Sequence, residues 1–233
     1  MISQGYVLDD DGDFGGKSFA ALMAFVGGGS VTPLRSNLGK AAAQFFPSAY
    51  LTTPLRIAHA LAQQSVETKG FSALVENLNY RVSGLLKTFS RKRISASDCE
   101  RLGRKADEGP LSPQRQMAIA NIIYGGTFGV EQLGNTQTGD GWRFRGRGAK
   151  QTTGRANYSR VADLTQLPLM DQPELLEIPS NGMKAACIFW TDKRCNSFAD
   201  ADNIAGLTLR INGGDNGLPE RKAALAKAKT ILL

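Results

Sequence analysis

Two carboxylates, Glu67 and Glu76, stand nine residues apart. A pair of carboxylic acids can break a glycosidic bond. One protonates the leaving oxygen and the other activates a water from the opposite face. An inverting enzyme keeps its two carboxyls about 6.5–9.5 Å apart to leave room for that water. On one straight helix nine residues would rise ~13.5 Å and point the two groups to nearly opposite faces. Gly70 lets the chain turn after Glu67, so that Glu76 can return from a loop or short strand. At the C-terminal end of a helix, the dipole disfavours ionisation of Glu67, as a general acid requires. Lys69 would oppose this if close, and is expected to face solvent. The spacing alone fits a solvated helix-end carboxylate and a surface one better than a catalytic pair.

A second chemical signal runs from Gly139 to Tyr158. It holds four arginines and five glycines in twenty residues, with Trp142 among them. Arginines supply forked donors, and glycines let backbone approach a ligand. This is the composition of a lined binding cleft; the plain alternative is a Gly-rich surface turn. Trp142 suits a sugar-stacking platform and a core filler equally. Trp190, on a helix, suits the core. His59 reads as a satisfied, half-buried histidine.

The elements that must position these groups are mostly helical. Ser18 is expected to cap a helix through Val26 and Ser36 one through about Phe46. Thr53 with Pro54 opens a third helix, from 54 to about 69, with Leu55, Ala58, Leu61, Ala62 and Ser65 as its stripe. Gly70 ends it. Further helices are expected at about 112–123, 154–164, 181–192 and 200–211, and from Pro219 to the end. Strand signals are weak, and a small hairpin near 125–147 is the best candidate. The expected organisation is a flexible lead over residues 1–16 and one domain over 17–233. In the lead, Asp9 to Asp13 lacks the terminal glutamate of a calcium loop, and Asp11 breaks the phosphate-loop spacing before Gly16-Lys17-Ser18.

Composition bounds the rest. Hydrophobic residues make up 42%, enough for a sizeable core. The 28 Lys+Arg against 21 Asp+Glu leave +7, which suits an anionic partner or simply a solvated surface. Cys187 and Cys195 could pair, but free thiols fit better with Cys99 left over. A single histidine and the absence of metal-ligand spacing imply no metal, and no cofactor is expected. The acidic start is unlike a secretory signal, so synthesis in a cytoplasm is expected. The apolar run Phe19 to Val26 falls far short of the ~20 residues of a membrane span.

With these residues in view, the chain resembles glycoside hydrolase family 19, the plant-type chitinases and their phage and bacterial endolysin relatives. Thr53 to Phe71 is similar to the family's catalytic helix, which ends in His-Glu-Thr or His-Glu-Ser before Gly-Gly-Phe. Glu76-Asn77-Leu78-Asn79-Tyr80 is similar to the endolysin branch's second glutamate segment. Trp142 to Gly148, with Gln151, Thr153, Gly154, Arg155, Asn157 and Tyr158, resembles its cleft segment. Tyr124-Gly125-Gly126 and Arg210-Ile211-Asn212-Gly213-Gly214, with Asn216, Gly217 and Arg221, complete the blocks over about residues 18–233.

The resemblance implies a mainly α, lysozyme-like fold of two helical lobes around a cleft. It implies Glu67 as acid, Glu76 as base and Thr153 as holder of the water. Gln151, Tyr124, Trp142, Arg147, Asn212 and Arg221 become substrate-binding candidates. The implied reaction is inverting hydrolysis of β-1,4 bonds between amino sugars. Peptidoglycan strands are the expected partner, given the nine-residue spacing, the missing plant-type disulfides and the cationic balance. A monomeric endolysin reaching the wall after release from a host cytoplasm follows. A chitinase of the same fold and a silent wall-binding module are the alternatives. A nucleic-acid binder would leave the paired glutamates unexplained. Val66 stands where the family has His, Lys69 replaces a small residue, and Ala149-Lys150 replaces an apolar pair.

Overall fold

A computed structural model describes residues 5–6 and 14–233. Most of the lead, including Asp9 to Asp13, lies outside the described residues. The chain divides into two compact units. One takes Met1–Leu74, Gly148–Gln151 and Leu175–Leu233; the other takes Val75–Arg147 and Thr152–Glu174.

The first unit is built on α1 (Gly16–Gly27), α2 (Pro33–Phe45) and α3 (Pro54–Glu67). Later chain adds α10 (Pro179–Asp192), α11 (Cys195–Asp200), α12 (Ile204–Asn212) and α13 (Leu218–Leu232). The start of α3 follows the sequence signal: the Thr53 hydroxyl accepts from the Arg56 N–H, and Pro54 opens the first turn. Residues Ile57 to Ser65 are all buried, so α3 is surrounded and its core is not a single stripe. The other two capping expectations are corrected. The N-cap of α1 is Gly15, and Ser18 lies inside the helix. The N-cap of α2 is Thr32, whose hydroxyl accepts from the Arg35 N–H. There Pro33 follows the cap directly and fixes the first turn, which places Ser36 one turn too late.

The turn after α3 is tightly specified. Lys69, Gly70 and Phe71 take φ of 50°, 73° and 60°. Thr68 is buried; its Oγ1 donates to the Gln64 carbonyl and accepts from the Phe71 N–H. A Cβ at Gly27 would lie 2.3 Å from the Gly70 carbonyl oxygen, so neither glycine has room for a side chain. Arg35, buried, donates to the carbonyls of Gly28, Ser30 and Gly70 and ties the turn to the end of α1. Phe71 then enters the unit's core beside Leu22, Leu61 and Leu74.

The second unit holds α4 (Val82–Thr88), α5 (Ala96–Leu102), α6 (Pro113–Ile123), α7 (Gly126–Leu133), α8 (Asp140–Arg143) and α9 (Arg155–Thr165). Leu78, Leu85, Phe89, Ile94, Leu102, Ile119 and Ile123 fill its core. The expected hairpin near 125–147 does not exist. Among the described residues there is no strand, only isolated bridges, Val75 with Arg147, Arg81 with Arg104 and Arg147 with Thr152. The physical reason lies in how this segment satisfies its backbone. α7 is closed by Gly134 in the left-handed region. Asn135 then donates to the Tyr124 carbonyl and accepts from the Arg155 N–H, and Asp140 accepts from the Gln137 N–H. Side chains and short helices thus take the groups that a hairpin ladder would have used.

Candidate active site

In the second unit Glu76 is held at both oxygens. The Gly146 N–H donates to Oε1 at 2.7 Å and the Tyr124 hydroxyl donates to Oε2 at 2.7 Å. The Glu76 N–H returns a bond to the Gly146 carbonyl at 3.0 Å. Burial pushes the Glu76 carboxyl up from the ordinary range, while these donors and the guanidinium groups of Arg145 and Arg147 hold it back. Burial and the neighbouring Glu76 charge push the Tyr124 phenol far up, so it stays a donor. Tyr124 is placed as the C-cap of α6, its N–H on the Ala120 carbonyl.

The paired backbone at Val75, Arg147 and Thr152 runs three segments side by side, and Thr153 follows Thr152 directly. Thr153 is half-buried, and its carbonyl accepts from Asn157. Arg147 is only 3% exposed; its Nη1 donates to the Arg143 carbonyl and to the Tyr158 hydroxyl. Tyr158 in turn donates to the Arg145 carbonyl. Arg155 clasps Asp140 at 2.8 and 2.6 Å, and Asp140 is buried. Much of the arginine content therefore fixes the segment's own backbone. Arg145 stacks 3.9 Å over the half-buried ring of Trp142, and the backbone N–H of Trp142 donates to Asn121 Oδ1.

In the first unit Glu67 is the last residue of α3, and Arg221 Nη2 donates to its Oε1 at 2.6 Å. Arg221 is 3% exposed, and its Nη1 also binds the carbonyl and side-chain oxygen of Gln63. Its Nε faces the Asn216 carbonyl at 3.4 Å. Gln63 passes the network on to Thr208. One guanidinium thus joins the end of α3 to the glycine-rich 213–217 segment. Gln63, one helical turn before Glu67, is a site residue that sequence reasoning missed. Its spacing of four was the available signal.

Lys150 sits with its ammonium 4.1 Å from the Phe189 ring centroid. Burial depresses its pKa, and the nearby Glu67 charge opposes the shift. Gln151 is held at φ 54° and donates to the Gly148 carbonyl. Asn212 ends α12 and is exposed. Lys69 is exposed, as expected. His59 is fully buried, not half-buried, and meets Asp202 at 2.8 Å; Asp202 also pairs with Lys229. Burial lowers the His59 pKa against the pull of Asp202. Trp190 is core, its Nε1 bound to Asn196. The three cysteines are buried thiols, and burial pushes Cys187 and Cys195 up to about 12. Among the described residues no group of three or more His, Cys, Asp or Glu is arranged to hold a metal ion, and no helix is long and apolar enough to cross a membrane.

No family model matches the chain. It is 34% identical over 164 residues to a glycosyl hydrolase family 19 domain-containing protein of Haemophilus influenzae, covering 69% of this chain and 72% of that protein. Two solved structures share its fold. Chitinase C from Streptomyces griseus superposes with a TM-score of 0.54 at 16% identity, over 95% of each chain. The family 19, class IV chitinase from Zea mays gives 0.50 at 15% identity, over 91% of this chain and 89% of that one. At such identities these two likenesses speak for the mainly α fold and nothing finer. On the strength of the Haemophilus relative, the chain belongs to glycosyl hydrolase family 19.

Proposed function

We propose that the protein hydrolyses β-1,4 bonds in a polymer of N-acetylated amino sugars, with inversion. The observation that carries this reading is the setting of Glu76, a partly buried carboxylate gripped at both oxygens by donors that keep it available as a base. In the reaction Glu76 takes a proton from the attacking water, which the Thr153 hydroxyl helps to hold. Glu67 gives a proton to the leaving oxygen, oriented by Arg221. No cofactor enters this scheme.

Two polymers carry such bonds. Chitin is the polymer for which the two solved structures of this fold, both chitinases, are named. Peptidoglycan has the support of the +7 charge, which suits an anionic wall, and on that reading the protein is a wall-lysing enzyme acting after release from the cytoplasm that made it.

The test is product analysis by NMR and mass spectrometry, on chitin hexamer and on purified sacculi. Release of the α-anomer at first turnover is the expected result. A β-anomeric product would overturn the inverting scheme, and no cleavage of either substrate would overturn the reading as a whole. Relative rates on the two substrates decide between the polymers.

A further inference from the structure

A cavity of about 740 Å³ opens in the second unit, lined by Lys92, Arg93, Thr127, Phe128 and Glu131 among others. Its central feature is Arg93. The guanidinium lies 3.9 Å from the Phe128 ring centroid, with Phe89 at 5.0 Å and Tyr124 at 5.6 Å. Nε and Nη2 both donate to the Ile123 carbonyl, at 2.9 and 2.7 Å. That anchors one edge of the fork. Among the described residues Nη1, on the other edge, meets no acceptor. Apart from Tyr124, none of these groups enters the hydrolytic scheme.

We propose that this cavity is a carboxylate site, and that its ligand is the lactyl or peptide carboxylate of a muramyl residue in a wall glycan. The inference rests on the reading of the protein as an amino-sugar polymer hydrolase and narrows its substrate to the polymer that carries acid groups. Three aromatic rings and a carbonyl hold the guanidinium still, so little side-chain freedom is lost when it binds. The planar fork matches a carboxylate, and a charge-assisted bond of this kind is among the stronger ones. Lys92 adds a second cation against the carboxylate of Glu131 in the lining and the nearby charge of Glu76. The volume is that of an ordinary small-ligand pocket, ample for one substituted sugar. Chitin has no acid to place there. Because Arg93 also faces the ring of Tyr124, the same tyrosine that binds Glu76, the site adjoins the proposed base.

The test follows the Arg93 Nε–H resonance of the ¹⁵N-labelled full chain. The probes are N-acetylmuramic acid, N-acetylglucosamine and lactate, which separate the acid from the sugar. N-acetylmuramic acid should bind at least tenfold more tightly than either of the others. An equal response to N-acetylglucosamine would overturn the carboxylate assignment. An equal response to lactate would mean a free-anion site and overturn the glycan assignment. Arg93→Lys, which keeps the charge and loses the fork, should weaken muramic acid binding by roughly tenfold or more. Lys92→Ala, at an exposed position, should weaken it by a smaller factor without touching the fold. Binding unchanged in both variants would overturn the proposal. These titrations need no turnover: silent titrations with active cleavage would sink this site alone, whereas absent cleavage would sink the hydrolase reading.

Discussion

Tyr124 donates its hydroxyl to Oε2 of Glu76 at 2.7 Å, while the Gly146 amide holds Oε1 at the same distance. The bond opposes the upward push that burial gives Glu76. Tyr124→Phe therefore raises the Glu76 pKa further. Since the base must be ionised, the acid limb of the pH–rate profile should move to higher pH, with kcat reduced most at low pH. An acid limb that stays in place in Tyr124→Phe would show that Glu76 is not the group titrating there.

Glu76 binds its proton more tightly folded than unfolded, because burial raises its folded pKa. The stability this contributes is present below the unfolded value and is lost as pH rises through the folded one. Glu76→Gln stays neutral throughout. Its amide can accept from the Gly146 N–H and donate to the Tyr124 hydroxyl. The variant should match or exceed the wild type in Tm at pH 8 while losing about a hundredfold or more in rate. A clear drop in Tm would mean that the ionised carboxylate holds the fold.

Glu67→Gln keeps an oxygen for Arg221 but loses the charge of the ion pair and the transferable proton. Turbidity clearing and oligosaccharide cleavage should fall by orders of magnitude with circular dichroism unchanged. More than a tenth of wild-type activity would remove Glu67 from the acid's role. Arg221→Met, by contrast, strands both Glu67 and Gln63 and should cost about 3 kcal/mol of stability by chemical denaturation.

Lys150 is a half-buried cation whose pKa burial depresses. Its cost to the fold is full below its folded pKa and fades as pH rises from that value to the unfolded one. Lys150→Met should be the more stable protein at pH 7, with the gap closing by pH 11. Denaturant midpoints at the two pH values check this, and a wild type more stable at pH 7 would show that the Phe189 and Glu67 contacts outweigh desolvation.

If the +7 charge guides the enzyme to an anionic wall, activity on sacculi should fall as salt rises past physiological strength, where the Debye length is ~8 Å. Cleavage of a short neutral oligosaccharide should hardly move. Parallel salt titrations decide it, and equal sensitivity on both substrates would place the charge effect inside the site.

Helices with a cap and a long apolar pattern were legible in the sequence. The signal Thr53-Pro54 opens α3, and Pro219 falls in the first turn of α13. The seven-residue helices α4 and α5 were not legible, because two turns carry too little periodicity. The region 125–147 misled for a tertiary reason: Asn135, Asp140 and Arg155 supply by side chain what a strand partner would have supplied by backbone. At the site, carboxylates and the arginine were legible as residue types. Gly146 was not, because it acts through its amide; for Gln63 the spacing of four from Glu67 was a signal, but its contact with Arg221, 158 residues away, was not.

The Gly27–Gly70 contact has a consequence for how this protein can vary. A single methyl at Gly27 would collide with backbone, which cannot swing aside as a side chain could. Substitutions at this point, and insertions that lengthen the turn, meet a wall three residues past the end of α3. The end of α3 becomes a benchmark that a lineage can build around but cannot move, and a chimera made by exchanging loops should place its junctions away from residues 68–71.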